Sequence, residues 1–416
     1  MGRYFIVGLV CQAHAMSLWP PRLAAPGSSR RPPESEATMQ AANALTADLF
    51  EETLPAAGTG NAADATGFEI GWDFAHYRLT PPPEHLTEGR PVRQGWLAGA
   101  AVFGSRSLKP TPPVRKWLQL RLNAWRRGHA FEGVQVTPHF LAQIDVAACP
   151  ITRVALTHVS GAGSDACVDR VCTQAGYAAG NLAVMSLRAH QAKAELGWLD
   201  ALTVVRQLEA SGLDTLDGLT PVDWSRLGVL MSFVTPLPHA QAACLPLSVL
   251  PPNRLRLLNP VQALQAVLTL SFTQTQAVPR LRELIAHLPA DTRHDYQVFV
   301  LTLQARRLAI GMQTGGPELR HALEDLWADA AVNRRWQRFA LALTEADCER
   351  LVRHAARRSL GGKAWQWLPR AAATEGWALA TEGYAGPRPG WARSKPPVKR
   401  VAAAPTIAAW PTQTST

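Results

Sequence analysis

Three polar residues in the middle of the chain are of types that could act together. They are Asp169, Asn181 and His190. A carboxylate and an imidazole brought to one place can bind a divalent cation, which stabilises charge on a phosphodiester and lowers the pKa of a bound water. If a helix ran from Asn181 to His190, these two side chains would lie on opposite faces of it. Asn181 is therefore expected to brace the loop that carries Asp169, and not to bind the cation beside His190.

The surrounding sequence predicts the elements that would position these groups. Alternating apolar residues predict a strand over 152–158, and a β-branched run predicts a return strand over 167–171. The glycine-rich segment 161–165 predicts the turn between them. Asn181 is a typical N-cap residue, so a helix is expected from Leu182 to about Leu196. The expected unit is two strands, a loop and a helix.

This unit resembles the core of the HNH, or ββα-metal, endonucleases, and is most similar to the phage-type variant with an Asp-Arg pair. The resemblance covers residues 149–196 of a chain of 416. It implies that Asp169 and His190 bind one divalent ion, Mg²⁺ or Mn²⁺ or alternatively Zn²⁺, and that Asn181 holds the loop. The residues that carry the resemblance are Asp169, Arg170, Gly176, Tyr177, Asn181, His190 and Lys193.

One position departs from the family pattern. Arg170 stands where the family has a histidine that acts as general base, and a guanidinium stays protonated at working pH. Arg170 could instead hold a phosphate, and His158 is the nearest alternative base. Two functions follow as hypotheses: a metal-dependent endonuclease that cleaves phosphodiesters, or a catalytically inactive HNH-like scaffold in a DNA-binding or interaction protein. Without the resemblance, Asp169 and His190 would be read as a turn residue and a surface residue.

The composition bounds the class of protein. The chain is 47% hydrophobic and carries a formal net charge of +10. Its length is sufficient for about two or three domains. The positive charge favours an anionic partner, with nucleic acid, and DNA in particular, as the first candidate. Six scattered cysteines are too few for a disulfide scaffold, so a cytoplasmic location without membrane association is expected.

Basic residues outside and inside the unit are candidates for phosphate contacts. An amphipathic helix is predicted over 114–125 with four cations at its edges, and a second helix-like segment is predicted over 131–144. A solvated helix face is the alternative interpretation of those cations. The candidate nucleic-acid-binding residues are Arg115, Lys116, Arg126, Arg127, Arg170, Arg188 and Lys193.

The two ends of the chain differ from its middle. Residues 1–66 are expected to be a disordered or mis-annotated segment, of which residues 39–66 are low in complexity. The first fifteen residues have the outline of a secretory signal, but the favoured interpretation is that residues before Met39 are translated upstream DNA and that Met39 is the true start. Within residues 39–66, Leu45–Phe50 resembles peptides that dock on the bacterial sliding clamp, although it lacks the leading glutamine, and a chance match is the alternative. Residues 361–416 are expected to form a basic, proline- and tryptophan-containing tail.

The fold predicted for the whole chain is mainly α (α+β). Helical regions are expected over 67–148 and 199–360, where apolar residues recur at helical spacing, on either side of the ββα module at 149–198. Thr344, with Asp347 three residues later, is expected to cap a helix that starts at Glu345. Disordered termini complete the predicted organisation.

Overall fold

The fold was obtained as a computed structural model that describes residues 62–274, 276–311 and 315–361, together with the backbone of residues 366–367. These residues form fourteen α-helices and four short strands, which confirms the mainly helical fold. Residues 62–66 were expected to be disordered but form the first turn of helix α1. The remaining predictions for the two ends, including the clamp-like segment Leu45–Phe50, fall on residues outside the described ranges.

The described residues cluster into two compact units. The N-terminal unit comprises residues 62–139 and 175–178, and the main unit comprises residues 140–174 and 179–361. The helices of the N-terminal unit are α1 (Ala62–His76), α2 (Pro91–Phe103) and α3 (Pro112–Arg127). A second helical segment was predicted over 131–144, but only Pro138–Ile144 is helical. This helix, α4, belongs to the main unit from Phe140 onward.

Helices α1 and α2 approach each other unusually closely, and glycine makes this possible. A Cβ atom on Gly71 would lie 1.9 Å from the backbone oxygen of Val92, and one on Gly95 would lie 1.8 Å from the backbone oxygen of Phe68. The core beneath them is formed by apolar residues of α1, α2 and α3, namely Ile70, Phe74, Val92, Val114, Leu118 and Leu122.

The helical part of the main unit is organised around one helix that is buried on every side. This is α9 (Pro260–Ser271), all of whose residues are buried. The other helices are α6 (Trp198–Ser211), α7 (Pro221–Phe233), α8 (His239–Cys244), α10 (Ala277–Arg282), α11 (Arg293–Ile310), α12 (Gly316–Asp325), α13 (Ala330–Leu341) and α14 (Glu345–Arg357). Thr344 caps α14 as predicted, and Asp347 completes the capping box.

The four strands form two small sheets. Strands β1 (Ala166–Arg170) and β2 (Leu182–Ser186) pair in antiparallel orientation, and helix α5 (Leu187–Lys193) follows β2 directly. Strands β3 (Arg256–Leu257) and β4 (Gln366–Trp367) form a two-residue parallel pair. The main unit therefore contains two strands followed by a helix, but these are not all in the predicted places.

Two of the three predicted elements of this module were misplaced. Residues 152–158 contribute only isolated bridges through Ala155 and Thr157, because the backbone of Arg153 turns into the left-handed region at φ 59°. Residues 182–186, predicted as the start of the helix, form β2, and all five are buried. A short apolar run fits either a buried strand or a buried helix, and here the pairing with β1 decides for the strand.

Within the described ranges, no helix is both long enough and apolar enough to cross a membrane.

Candidate functional site

Strand β1 carries the acidic residue of the candidate site into the interior of the ββα module. Asp169 lies opposite Ala183 in the antiparallel pair and is 3% exposed. Helix α5 packs against both strands, and His190 and Lys193 lie on the same face of it because they are three residues apart. The fold therefore brings two basic side chains of one helix to a single buried carboxylate.

The first of these contacts joins Asp169 and His190. Nδ1 of the imidazole lies 2.7 Å from Oδ1 of the carboxylate. Burial alone would lower the pKa of His190, but hydrogen bonds to the side chains of Asp169 and Cys167 outweigh it and raise that pKa to about 10. The imidazole is therefore protonated at neutral pH. Burial likewise raises the pKa of Asp169, yet the charges of Lys193 and His190 leave it below its ordinary value.

The second contact joins Asp169 and Lys193. Nζ of Lys193 lies 3.0 Å from Oδ2 of Asp169 as an ion pair, and it donates a hydrogen bond of 2.9 Å to the backbone oxygen of Arg170. The lysine side chain is 0% exposed. The phosphate contact predicted for Lys193 would thus require this buried ion pair to open first.

Asn181 braces the loop between the two strands. Its Oδ1 accepts a hydrogen bond of 2.8 Å from the backbone N–H of Cys172, and its Nδ2 donates one of 3.1 Å to the backbone oxygen of the same residue. Asn181 is fully buried. It does not cap a helix, as one interpretation of the sequence expected. The cap of α5 is Ser186, whose Oγ accepts a hydrogen bond from Ala189 N–H.

Two arginines also donate hydrogen bonds to backbone oxygens of this loop. Gly180 has a φ of 90°, and a Cβ atom there would lie 2.2 Å from Cγ of Arg256, whose N–H donates to the oxygen of Gly180. Arg170 is half-buried and donates a hydrogen bond of 2.9 Å to the backbone oxygen of Thr173. The two ends of the loop between β1 and β2, next to Arg170 and next to Asn181, are therefore held by hydrogen bonds.

The Gly-Tyr pair of the motif belongs to the N-terminal unit. Tyr177 is buried, its N–H donates to the backbone oxygen of Ala130, and its oxygen accepts from the N–H of Glu132. A Cβ atom on Gly176 would lie 2.7 Å from the backbone oxygen of Ala130. Glycine at 176 is thus required by a close backbone approach.

The other predicted site residues are exposed or half-buried. Arg188 is exposed on α5, and its side chain lies next to Gly163 and Gly218. His158, considered as an alternative base, is exposed in the segment that precedes β1. The four cations of the predicted amphipathic helix all lie on α3, with Arg115 and Arg127 exposed and Lys116 and Arg126 half-buried.

The donors around Asp169, as arranged, do not fit a divalent cation. One carboxylate oxygen faces the protonated Nδ1 of His190 and the other faces the ammonium of Lys193. Among the residues that the structure describes, no group of three His, Cys, Asp or Glu side chains could hold a metal ion. A cation at Asp169 would have to displace both basic partners.

Sequence reasoning missed two features of the site. Cys167 contacts His190, and the signal was present, since residues 167 and 169 alternate along a strand and so share a face. The burial of Lys193 had no local signal, because lysine is usually exposed and its partner lies in another element.

The whole chain was compared with models of protein families, with curated proteins and with solved structures, and none of them matches it.

Proposed function

We propose that this chain is a nucleic-acid-binding protein in which residues 149–196 form an HNH-like ββα module that acts as a scaffold and does not cleave. The observation that supports the non-cleaving role is the ion pair of 3.0 Å between Lys193 and Asp169. It engages the carboxylate on which an endonuclease of this type would depend. Arg170, at the position of the usual base, carries a guanidinium that cannot accept a proton.

A basic face of α3 supports the choice of nucleic acid as the partner. Between Glu88 and Glu132 the sequence contains nine arginines and lysines and no acidic residue. One of them, Arg121, is neutralised by an ion pair with Asp73 and stacks on the ring of Trp117. The cations at the two ends of α3 are exposed or half-buried.

Six of the seven polar residues of α3, all except Arg121, share one side of the helix. At about 100° per residue, six positions fall within a sector of roughly 120°. All six are exposed or half-buried, and two are amides that lie between the cations. Cations of this kind contact backbone phosphates, and amide side chains add hydrogen bonds to phosphates, sugars or bases. The residues of this basic face are Arg115, Lys116, Gln119, Asn123, Arg126 and Arg127.

The test is the salt dependence of duplex binding. Fluorescence anisotropy with a labelled DNA duplex is measured for the full chain and for a variant with glutamine at Arg115, Lys116, Arg126 and Arg127. Each lost phosphate contact lowers the slope of log affinity against log salt by about one, so the affinity at low salt should fall by about tenfold or more.

A matched control removes the same charge elsewhere. Arg206, Arg282, Arg334 and Arg357 are exposed arginines of the main unit, and a variant with glutamine at all four has the same net charge as the α3 variant. The proposal expects it to bind DNA within about threefold of the unmodified chain. Equal losses in both variants would show that only net charge matters and would contradict an interface on α3.

Phosphodiester cleavage is a second candidate function, because the fold brings Asp169 and His190 to 2.7 Å and braces their loop with Asn181. Cleavage would require Lys193 to leave Asp169. Plasmid nicking with Mg²⁺, Mn²⁺ or chelator, alongside Asp169→Ala, separates the two candidates. Metal-dependent nicking that the variant loses would establish the endonuclease, and its absence in a folded protein that binds DNA supports the scaffold.

A further inference from the structure

We infer that Lys193 is the resident cation of the ββα module: its ammonium takes the place beside Asp169 where the family resemblance puts a divalent ion, so the module is complete without a metal. This inference concerns the interior of the module and does not depend on nucleic-acid binding by the chain.

The surroundings of the ammonium are those of a cation site. Nζ of Lys193 lies 3.0 Å from a carboxylate oxygen of Asp169 and 2.9 Å from the backbone oxygen of Arg170. Carboxylate and carbonyl oxygens are the ligands that hard divalent cations take in proteins. The ammonium donates its hydrogen bond to the carbonyl of Arg170, whereas its contact with Oδ2 of Asp169 is an ion pair without hydrogen-bond geometry. The same atoms that could hold a metal ion therefore hold a lysine.

The fold is built to keep the lysine there. Lys193 is the last residue of α5, and the helix ends directly after it, where Ala194 adopts a φ of 42° and donates its N–H to the oxygen of His190. The next turn is closed by a hydrogen bond from Leu196 N–H to the oxygen of Lys193. The whole side chain is buried, so that the ammonium has no route to bulk water without displacement of its neighbours.

Charge explains why a lysine and a divalent ion exclude each other at this place. Asp169 is fully surrounded by the module, with only 4% of its side chain exposed. Asp169 already contacts His190 at 2.7 Å and the ammonium of Lys193 at 3.0 Å, so a divalent ion on the same carboxylate would lie within a few ångströms of both, where the repulsion is only weakly screened. Conversely, loss of the ammonium leaves a buried carboxylate with His190 as its remaining charged partner, which is strongly destabilising.

The experiment compares the unmodified chain with Lys193→Met, Asp169→Asn and the double variant. Mn²⁺ binding is followed by electron paramagnetic resonance and thermal unfolding by circular dichroism. Any Mn²⁺ binding by the unmodified chain should be the same in Asp169→Asn, and excess Mn²⁺ should not change the Tm of the unmodified chain. Lys193→Met should lower Tm by on the order of 10 °C, because it leaves Asp169 without its main counter-charge. The double variant should recover most of that loss.

Lys109→Met is the matched control, since Lys109 is exposed and the same charge is removed. It should change Tm by less than about 2 °C. The inference is overturned if the unmodified chain binds one Mn²⁺ that Asp169→Asn abolishes, or if Lys193→Met is as stable as the control. If Lys193→Met alone does not fold while the double variant does, the unpaired carboxylate is the cause and the inference holds. The Mn²⁺ titrations of the unmodified chain and of Asp169→Asn test the inference without the Lys193→Met variant.

Discussion

Arg153 and Asp325 are joined by two parallel hydrogen bonds, of 2.8 and 2.7 Å, across 172 residues of chain. The same guanidinium donates a hydrogen bond of 3.0 Å to Glu324, whose side chain is 4% exposed. This contact ties the segment that precedes β1 to helix α12 within the main unit. At Arg153 itself the backbone departs from the predicted strand, since its φ of 59° lies in the left-handed region.

Substitution of this arginine is expected to loosen the main unit. Arg153→Lys keeps the charge but loses the bidentate geometry, and Arg153→Ala leaves Glu324 and Asp325 without this partner. The free energy of unfolding should fall by about 1–2 kcal/mol for lysine and about 3 kcal/mol for alanine, as measured by urea denaturation. Arg334→Ala, on an exposed face of α13, should stay within about 0.5 kcal/mol. Equal effects of the lysine and alanine variants would contradict a role for the bidentate geometry.

Removal of the Asn181 side chain is expected to release the loop between β1 and β2. Asn181→Ala deletes two partly buried hydrogen bonds to the backbone of Cys172, which should lower the free energy of unfolding by about 1–3 kcal/mol. Native-state hydrogen exchange should show faster exchange of the Cys172 amide. Asn123→Ala, on the solvent side of α3, is the control and should leave this amide unchanged. A protected Cys172 amide in Asn181→Ala would show that the loop is held by other contacts.

Because α1 and α2 approach each other closely, the addition of one methyl group at Gly95 is expected to destabilise the N-terminal unit. Gly95→Ala places a carbon where the backbone oxygen of Phe68 lies, so the two helices must separate. The expected loss is about 3 kcal/mol or more, or failure of the N-terminal unit to fold. Gly133→Ala is a matched control because no atom lies within 4 Å of the added carbon. Similar melting curves for both variants would contradict the observed packing.

The pKa of His190 predicts how stability depends on pH. Its pKa rises from 6.5 to about 10 on folding, so the stabilisation is fully present below pH 6.5 and is lost as pH rises towards 10. The measurement is urea unfolding at a series of pH values, with the ring proton of His190 followed by NMR. His190→Gln should remove the loss of stability between these pH values, whereas His158→Gln should retain it. Titration of the His190 ring near pH 6.5 in the folded protein would contradict the Asp169 contact.

Local signals in the sequence were sufficient for most of the helices and for part of the site. The capping box at Thr344 acts over a few residues, so it can be recognised without knowledge of the fold. The spacing of Asp169 and His190 also predicted residues that do meet. The bracing role of Asn181 was predicted from a helix starting at Leu182, whereas residues 182–186 form a strand. The Asn181 side chain nevertheless holds the loop through its hydrogen bonds to Cys172.

Composition and local pattern were therefore sufficient to predict the helical character of the chain, its positive charge and the residues that gather at the ββα module. Tertiary structure decided what those residues do there. Whether Leu182–Ser186 is helix or strand depends on hydrogen bonds to β1, and whether Lys193 is a surface cation or a buried counter-charge depends on its distance from Asp169. Both are set by contacts between residues distant in sequence, because pairing, burial and electrostatic attraction depend on separation in space, which no local pattern encodes.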